Sequence, residues 1–534
     1  MGKKAIEWLN NAIFYQIYPS SFYDSNSDGI GDIPGIIKKL DYIKNLGCNA
    51  LWITTCFESP FQDGGYDISD YYKIAPRYGT NEDIKRLFKE AAKLDIRVCL
   101  DFVPAHTSIE HKWFKESCKA EQNKYSNWYV WTDSVRERNL PDLNTVNGYA
   151  ERDGNYVTNY YYCQPALNFG FANPDPNMPW QLPHNHPDII ALKQEITDIM
   201  RYWLDMGADG FRVDMPFSLV KNDNKWSYTS DFWRDIRKML NTEYPDAVLI
   251  SEWGSPLHAI RAGFHADFML QFNGEGYTSL FRNEDYMYNE TQGNSFFNKE
   301  GRGNIIDFLI EYIEHYNKIK KNGYIALPTG NHDITRISLD RTEEEIKLAF
   351  VFLLTMPVIP FIYYGDEIGM KYQADLVSKE GGYKRTGSRT PLQWSSEKNA
   401  GFSDAPEEQL YLPLDYDENA PNIADQLEHE NSILNTVKKL IRIRKENPAL
   451  QADGNFTPLY AEEKKYPFVF LRSLGKKKVL IAINPSHKNS TANFRLPKAD
   501  ALMELKMVSG IRYKENKGIF TIQMKGLSYG IFYC

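Results

Sequence analysis

The chain has 534 residues, of which 42% are apolar and 25% charged, as is typical of a soluble globular protein of more than one domain. A formal net charge of −8, with Lys and Arg spread along the chain, argues against a nucleic-acid partner, and no apolar run approaches the roughly 18 residues of a membrane span. The six cysteines form no CxxC pair or zinc-ligand spacing and the N-terminus turns polar too early for a signal peptide, so we expect free thiols in the cytoplasm.

The first predicted strand spans residues 12–19, and the loop that follows it is DSNSDGIGD, from Asp24 to Asp32. This loop places acidic or amide oxygens at alternate positions, as an EF-hand calcium loop does. An EF-hand also needs a bidentate Glu at its twelfth position, which is Gly35 here. The residues alone therefore leave two interpretations open, a metal-binding loop or a polar turn without an ion.

Short apolar runs and amphipathic helices then alternate along the chain. Helices are predicted over 34–47, 82–95 and 188–207, and further strands over 50–54, 96–103, 210–214, 247–253, 266–272, 324–333 and 358–367. Strands that alternate with helices imply a parallel sheet. Eight such strands predict a (β/α)₈ TIM barrel of the α/β class.

Two regions interrupt this alternation. The weakly periodic stretch 104–180 is rich in Tyr, Asn and Pro, and loops of that length are usually functional, so we predict an inserted subdomain after the third strand. Residues 456–534 contain short alternating runs that predict a C-terminal antiparallel β-sandwich domain. The barrel is then expected to comprise residues 1–103 and 181–455.

Ionisable residues stand at the ends of four predicted strands, where barrel enzymes carry their chemistry. A lone acid at a strand end is usually a helix cap or a salt-bridge partner, but that explanation would have to hold independently at every position. Two carboxylates about 5 Å apart suit a retaining glycosidase, one as nucleophile and one as acid/base. The residues at these strand ends are Asp101, His106, Arg212, Asp214, Glu252, His332 and Asp333.

Nine segments of the sequence resemble, in the same order, those of the α-amylase superfamily, glycoside hydrolase family 13. They are DSNSDGIGD, DGGYDISDYY, DFVPAH, QPALNF, GFRVD, SEW, GNHD, YYGDEIGM and GSRTPLQW. The resemblance runs from residue 12 to about residue 445. It is greatest to the exo-acting branch of oligo-1,6-glucosidases, α-glucosidases, amylosucrases and trehalose synthases.

This resemblance implies a role for each matching residue. The implied catalytic residues are the nucleophile Asp214, the general acid/base Glu252 and the third carboxylate Asp333. The implied binding residues for the sugar at the cleavage subsite are Tyr66 as a stacking platform, His106, Arg212 and His332. The resemblance further implies that Asp63 pairs with Arg389 and closes the far end of the site into a pocket.

The resemblance also bears on the loop after the first strand, which in this branch binds a structural calcium or magnesium ion. The implied ligands are the side chains of Asp24, Asn26, Asp28 and Asp32 and the carbonyl of Ile30. Since the context is strand–loop–helix, the missing twelfth Glu is expected.

Three positions depart from the family pattern. Ala105 replaces an Asn that supports a second calcium site in amylases, so no such site is expected. Ala166 stands where Asp is common, which puts local support of the site in doubt. Met215, after the implied nucleophile, fits neither the α-1,6 nor the α-1,4 pattern and leaves the linkage preference open.

The function we expect is a retaining α-glucosidase that releases glucose from the non-reducing end of small α-linked oligosaccharides or disaccharides. One alternative is a trehalose synthase or another transglucosidase, such as a sucrose-using enzyme. The same nucleophile and acid would serve there, and the released sugar rather than water would attack the intermediate. A non-enzymatic scaffold is disfavoured because such proteins lose catalytic carboxylates, and all three are present here.

Overall fold

Eight parallel strands close into a barrel in the computed structural model, which describes residues 6–137, 140, 143–270, 274, 276–282, 294–496 and 504–533. The strands are β1 (Phe14–Ile17), β2 (Ala50–Ile53), β3 (Arg97–Phe102), β4 (Gly210–Val213), β5 (Val248–Ser251), β6 (Ala266–Phe268), β7 (Tyr324–Pro328) and β8 (Ile359–Tyr363). Neighbours around the barrel follow chain order, and β8 pairs with β1 to close it. The predicted TIM barrel is confirmed; residues 271–272 of the predicted sixth strand lie outside the described residues.

Helices connect the strands and cover the outside of the barrel. The α-helices of the described residues are Glu7–Asn10, Ile33–Lys38, Leu40–Leu46, Asn81–Lys93, Lys112–Ser117, Pro187–Met206, Ser227–Glu243, Pro256–Ala262, Gly276–Phe281, Ile305–Ile319, Glu343–Thr355, Ile423–Glu428 and Ile433–Glu446. Short 3₁₀ helices span Pro19–Ser21, Pro76–Tyr78, Pro216–Ser218, Asp366–Ile368, Tyr383–Ser388, Lys398–Gly401, Glu407–Gln409 and Pro448–Leu450.

The predicted helix over 34–47 is two helices in the structure. Ile33–Lys38 and Leu40–Leu46 are separated at Lys39, whose backbone leaves helical geometry at φ −108° and ψ 8°. The Lys39 ammonium lies 4.1 Å from the ring centroid of Trp394, a cation–π contact with a distant part of the chain. Because apolar periodicity continues across this position, the sequence pattern could not reveal the break.

The region between β3 and β4 covers one side of the barrel opening. Its described residues contain the helix Lys112–Ser117 and an antiparallel pair of strands, Asn144–Asn147 and Asn155–Thr158. Val130, Val157, Ala166, Phe171 and Trp180 form a separate apolar cluster there. A second antiparallel pair, Phe57–Glu58 with Asp70–Ile74, follows β2.

The C-terminal part of the chain is an antiparallel sheet, as predicted. Its strands are β9 (Asn455–Tyr460), β10 (Phe468–Leu474), β11 (Lys477–Asn484), β12 (Ser490–Phe494), β13 (Glu504–Asn516) and β14 (Ile519–Tyr533). In the described residues they form one six-stranded sheet in the order β9-β10-β11-β14-β12, with β13 paired to β14. Its arrangement as a sandwich and the boundaries between domains stay predictions.

Two further sequence expectations concern the membrane and the thiols. Within the described residues, every helix is too short or too polar to cross a bilayer. The five cysteines of the described chain, Cys48, Cys56, Cys99, Cys118 and Cys163, are all free thiols, as predicted. Cys534 lies outside the described residues.

Candidate active site

Arg212, on β4, is the centre of a buried acidic cluster at the C-terminal ends of the barrel strands. Its Nη1 donates to Asp101 Oδ1 at 2.7 Å and to Asp214 Oδ1 at 3.1 Å, and its Nη2 lies 2.6 Å from Glu252 Oε1. Only 1% of the Arg212 side chain is exposed. Three carboxylates thus surround a single guanidinium, so they cannot all be neutralised by it.

Asp101 is part of this cluster although it was predicted only as a strand-end acid and not as a site residue. Its Oδ2 accepts hydrogen bonds from Trp52 Nε1 at 3.0 Å and from the Tyr66 hydroxyl at 2.8 Å, while Oδ1 binds Arg212. Burial raises the pKa of Asp101 to about 6, against the opposing effect of Arg212. Asp101 therefore fixes the Arg212 guanidinium and one aromatic wall of the site.

Asp214 and Glu252 share Arg212, and the pKa of each is raised above its usual range, that of Glu252 far above it. Burial raises the pKa of Glu252 well above its usual range, and the charges of Asp214, Asp333 and Asp101 raise it further against Arg212. Burial also raises the pKa of Asp214, although Arg212 favours its anion. Since two interacting carboxylates ionise in sequence, the state expected near neutral pH has Asp214 ionised and Glu252 protonated.

Asp333, after β7, lies in a second cluster, in which two arginines bind the same carboxylate oxygen. Arg385 Nη1 donates to Asp333 Oδ1 at 2.9 Å and Arg389 Nη2 donates to the same oxygen at 3.1 Å. Burial would raise the pKa of Asp333, but His332, Arg385 and Arg389 together lower it well below its usual range. Asp333 is therefore ionised at any pH at which the protein would be assayed.

The predicted pairing of Asp63 with Arg389 is wrong. Asp63 Oδ1 accepts from Arg385 Nη2 at 2.7 Å and its Oδ2 accepts from Gln164 Nε2 at 2.8 Å. Arg385 lies in the 3₁₀ helix Tyr383–Ser388 and Arg389 directly follows it, and both guanidiniums reach the site. The one from Arg385 bridges the two acids.

Arg389 binds the His332 carbonyl and Asp333 instead of Asp63. Its Nε donates to the His332 carbonyl at 2.8 Å, in addition to the bond to Asp333. Its Nη1 passes so close to Gly64, which has a φ of 57°, that a Cβ there would lie 2.7 Å away. A side chain at position 64 would therefore force the Arg389 guanidinium to shift.

The predicted sugar-binding residues are gathered beside these clusters. The rings of Tyr66 and His332 stack at 5.1 Å with an interplanar angle of 3°. His332 Nε2 lies 3.1 Å from Asp333 Oδ2, and His106 Nε2 donates to the Tyr66 carbonyl at 3.0 Å. Burial lowers the pKa of His332 to about 3 and that of His106 to about 4, so both imidazoles are neutral.

The loop predicted to bind a metal is closed by its own hydrogen bonds. Asp24 Oδ1 accepts from the Asn26 amide at 3.0 Å, Asn26 Oδ1 from the Asp28 amide at 3.0 Å, and Asp28 Oδ1 from the Ile30 amide at 2.9 Å. Asp32 caps the helix that follows. Across the described residues, no three acidic, histidine or cysteine side chains are grouped closely enough to hold an ion. The side-chain oxygens are of the type that calcium prefers, but their present arrangement does not converge on one point.

A closed eight-stranded barrel with acids at the C-terminal ends of its strands defines a barrel enzyme with carboxylate chemistry. The catalytic-domain model of the α-amylase family matches residues 16–453. The chain therefore belongs to the α-amylase family, glycoside hydrolase family 13, as predicted.

Relatives with different activities resemble the chain to a similar degree. Glucan 1,6-alpha-glucosidase of Streptococcus pneumoniae is 31% identical over 527 residues, with 90% of this chain and 92% of the relative covered. Trehalose synthase/amylase TreS of Mycolicibacterium smegmatis is 31% identical over 495 residues, with 85% and 78% covered. The structure of an isomaltulose synthase mutant of Erwinia rhapontici with D-glucose has a TM-score of 0.80 at 27% identity, with 98% of this chain and 99% of that chain covered.

Proposed function

We propose that the protein is a retaining α-glucosidase that releases glucose from the non-reducing end of short α-glucosides. The observation that carries the proposal is the pair of carboxylates on Arg212: Asp214 Oδ1 lies 3.1 Å from its Nη1, Glu252 Oε1 lies 2.6 Å from its Nη2, and the pKa of Glu252 is raised well above its usual range, mainly by burial. Retaining glycosidases need a nucleophile and a proton donor held close together in these two states.

The chemistry follows from these roles. Asp214 attacks the anomeric carbon and forms a glycosyl ester, while Glu252 gives its proton to the departing oxygen. Glu252, now a carboxylate, then takes a proton from water, which attacks the same carbon and frees Asp214. Two displacements at one carbon retain the α configuration.

Asp63, Arg385 and Asp333 form one wall of the site, and this wall supports cleavage at a chain end. Asp63, Arg385 and Asp333 form a continuous ion-paired contact, and the Asp63 side chain is 9% exposed. These groups are suited to bind the free hydroxyls of a terminal glucose, with Tyr66, His106, Arg212 and His332 around the ring. A site built to bind a hydroxyl rejects a ligand that lacks it, because buried polar groups are then left unpaired.

The test is to incubate the protein separately with maltose, isomaltose, sucrose and trehalose and to identify every product. A retaining α-glucosidase releases free glucose from at least one of them, and this glucose is the α anomer at the moment of release. If glucose is released from none of the four, the proposal is refuted.

A trehalose synthase is the second candidate, and one contact favours it. Tyr161, in the region between β3 and β4, lies against the wall, with Arg385 Nη2 3.4 Å from its hydroxyl. This contact joins the region between β3 and β4 to Arg385, as a site that retains a released sugar would need, and the TreS of M. smegmatis has the same identity to this chain, 31%, as the glucosidase. Conversion of maltose into trehalose with little free glucose would favour this candidate.

For the loop of residues 24–32 we propose a structural divalent cation, calcium or magnesium. Side-chain oxygens at alternate positions support it, with Asp24, Asn26, Asp28, Asp32 and the carbonyl of Ile30 as the ligands. A bound ion would add about 2.7 kcal/mol of stability at a hundredfold excess over Kd. Chelator and Asp28→Ala should each lower Tm without abolishing turnover; a Tm unchanged by both would mean a turn without an ion.

We further propose a cytoplasmic location. The five free thiols support it, because reducing compartments keep cysteines unpaired. Fractionation of the source cells would test it.

A further inference from the structure

Asp267 is a buried acid of the barrel that the proposed chemistry does not use. It lies on β6, next to β5 in the barrel, and pairs in register with Ser251, the residue before Glu252. None of Asp267 is exposed. A buried carboxylate is costly unless donors compensate it, so its partners indicate its role.

The donors around Asp267 come from both sides of Glu252. Oδ1 accepts a hydrogen bond from the Trp253 amide at 2.8 Å and another from the Ser251 hydroxyl. Burial raises the pKa of Asp267 to about 7, and the amides of Gly254 and Ser255 are close enough to lower it against that effect, together with Ser251 and Trp253. The residue that precedes Glu252 and the three that follow it therefore all face one carboxylate.

The backbone amide of Glu252 donates a hydrogen bond of 3.0 Å to the Val213 carbonyl of β4. The direction of its side chain depends on how the residues after it turn. We propose that Asp267 is a positioning residue, which holds the turn Ser251–Ser255 so that the Glu252 carboxyl points at the departing oxygen. The proposal rests on the proposed function, in which Glu252 is the acid.

Displacement of the Glu252 carboxyl should slow the cleavage of some substrates and not of others. Cleavage of a disaccharide breaks the bond from C1 to a sugar oxygen, and that oxygen needs the proton of Glu252. Cleavage of α-glucosyl fluoride breaks the bond from C1 to fluorine, and fluoride leaves as an anion without a proton. In both reactions Asp214 forms the new bond to C1, so a damaged nucleophile or fold would slow both alike.

The experiment compares kcat/KM on the best disaccharide substrate with kcat/KM on α-glucosyl fluoride. Asp267→Asn places an amide group against amide donors, and a displacement of about 1 Å costs about 10²-fold. We expect that loss on the disaccharide and a loss of less than about threefold on the fluoride. Equal losses on both substrates, or none on either, would overturn the proposal.

Three further variants keep the result interpretable. Ser251→Ala removes one of the donors to Asp267 and should fold even if Asp267→Asn does not. It should show the same selectivity to a smaller degree. Equal losses on the disaccharide and on the fluoride would again count against the proposal. Asp366→Asn alters another buried acid, bound to Arg336 and Thr329, and any loss should be equal on both substrates. Glu252→Gln must itself be selective, since otherwise the proposed function fails rather than the role of Asp267.

Discussion

The two arginine clusters of the barrel opening contain the same residue types and have opposite effects on their acids. Around Arg212, three carboxylates share one guanidinium, and the pKa of Glu252 rises well above its usual range. Around Asp333, two guanidiniums share one carboxylate oxygen, and its pKa falls. Burial raises both values, so the balance of negative and positive charges around each acid decides which one keeps its proton.

The largest expected effect comes from removing the nucleophile or the proton donor on Arg212. Asp214→Asn and Glu252→Gln should each lower turnover of a disaccharide at least on the order of 10³-fold, because the first removes covalent catalysis and the second removes acid catalysis. Thermal melting of each variant serves as the check on folding. Near-normal activity in either variant, with an unchanged Tm, would contradict the assigned roles.

A smaller effect is expected from the second cluster. Arg385→Gln leaves Asp63 with Gln164 and Asp333 with Arg389, and each acid loses a charged hydrogen bond. A charged bond contributes about 2 kcal/mol, which corresponds to roughly 30-fold in kcat/KM.

The matched control for that variant is Arg97→Gln. Arg97 is the first residue of β3, at the opposite end of the strand from the site, and forms an ion pair of the same length, 2.7 Å, with Asp209. We expect its kcat/KM to change by less than about threefold, because a partly exposed ion pair away from the site contributes little. If both variants lose activity equally, the wall is structural and does not bind substrate.

The smallest effect is a change in pH dependence. Turnover needs ionised Asp214 and protonated Glu252, so kcat/KM rises through the pKa of Asp214 and falls through that of Glu252. Asp101→Asn removes one of the negative charges that raise the pKa of Glu252. The alkaline limb of the pH profile of kcat/KM should therefore move to lower pH, in addition to any loss of activity. If this limb does not move, Asp101 does not act on the pKa of Glu252.

The sequence predicted the parts of this comparison that depend on regular structure. All eight strands were predicted because each is a short apolar run between polar turns, and the barrel then brings their C-terminal ends together. Asp214, Glu252 and Asp333 could be located in this way. Asp101 stood at a strand end too, but its three partners come from three other elements, which spacing does not show.

What could not be predicted depends on loop geometry. Asp63 binds Arg385 rather than Arg389, and the two arginines stand only four residues apart in the sequence, so spacing could not show which guanidinium each acid binds. Gln164 opened a segment that resembles the family, yet its bond to Asp63 needed the structure.

The most direct test of the account is a time course on a heptasaccharide labelled at its reducing end, maltoheptaose or isomaltoheptaose, whichever is cleaved. A pocket closed by Asp63, Arg385 and Asp333 admits only a terminal glucose. The account predicts unlabelled glucose and a labelled product one unit shorter at the earliest times, followed by the next shorter one. Early labelled fragments of two to four units, with little glucose, would mean an open cleft and would contradict it.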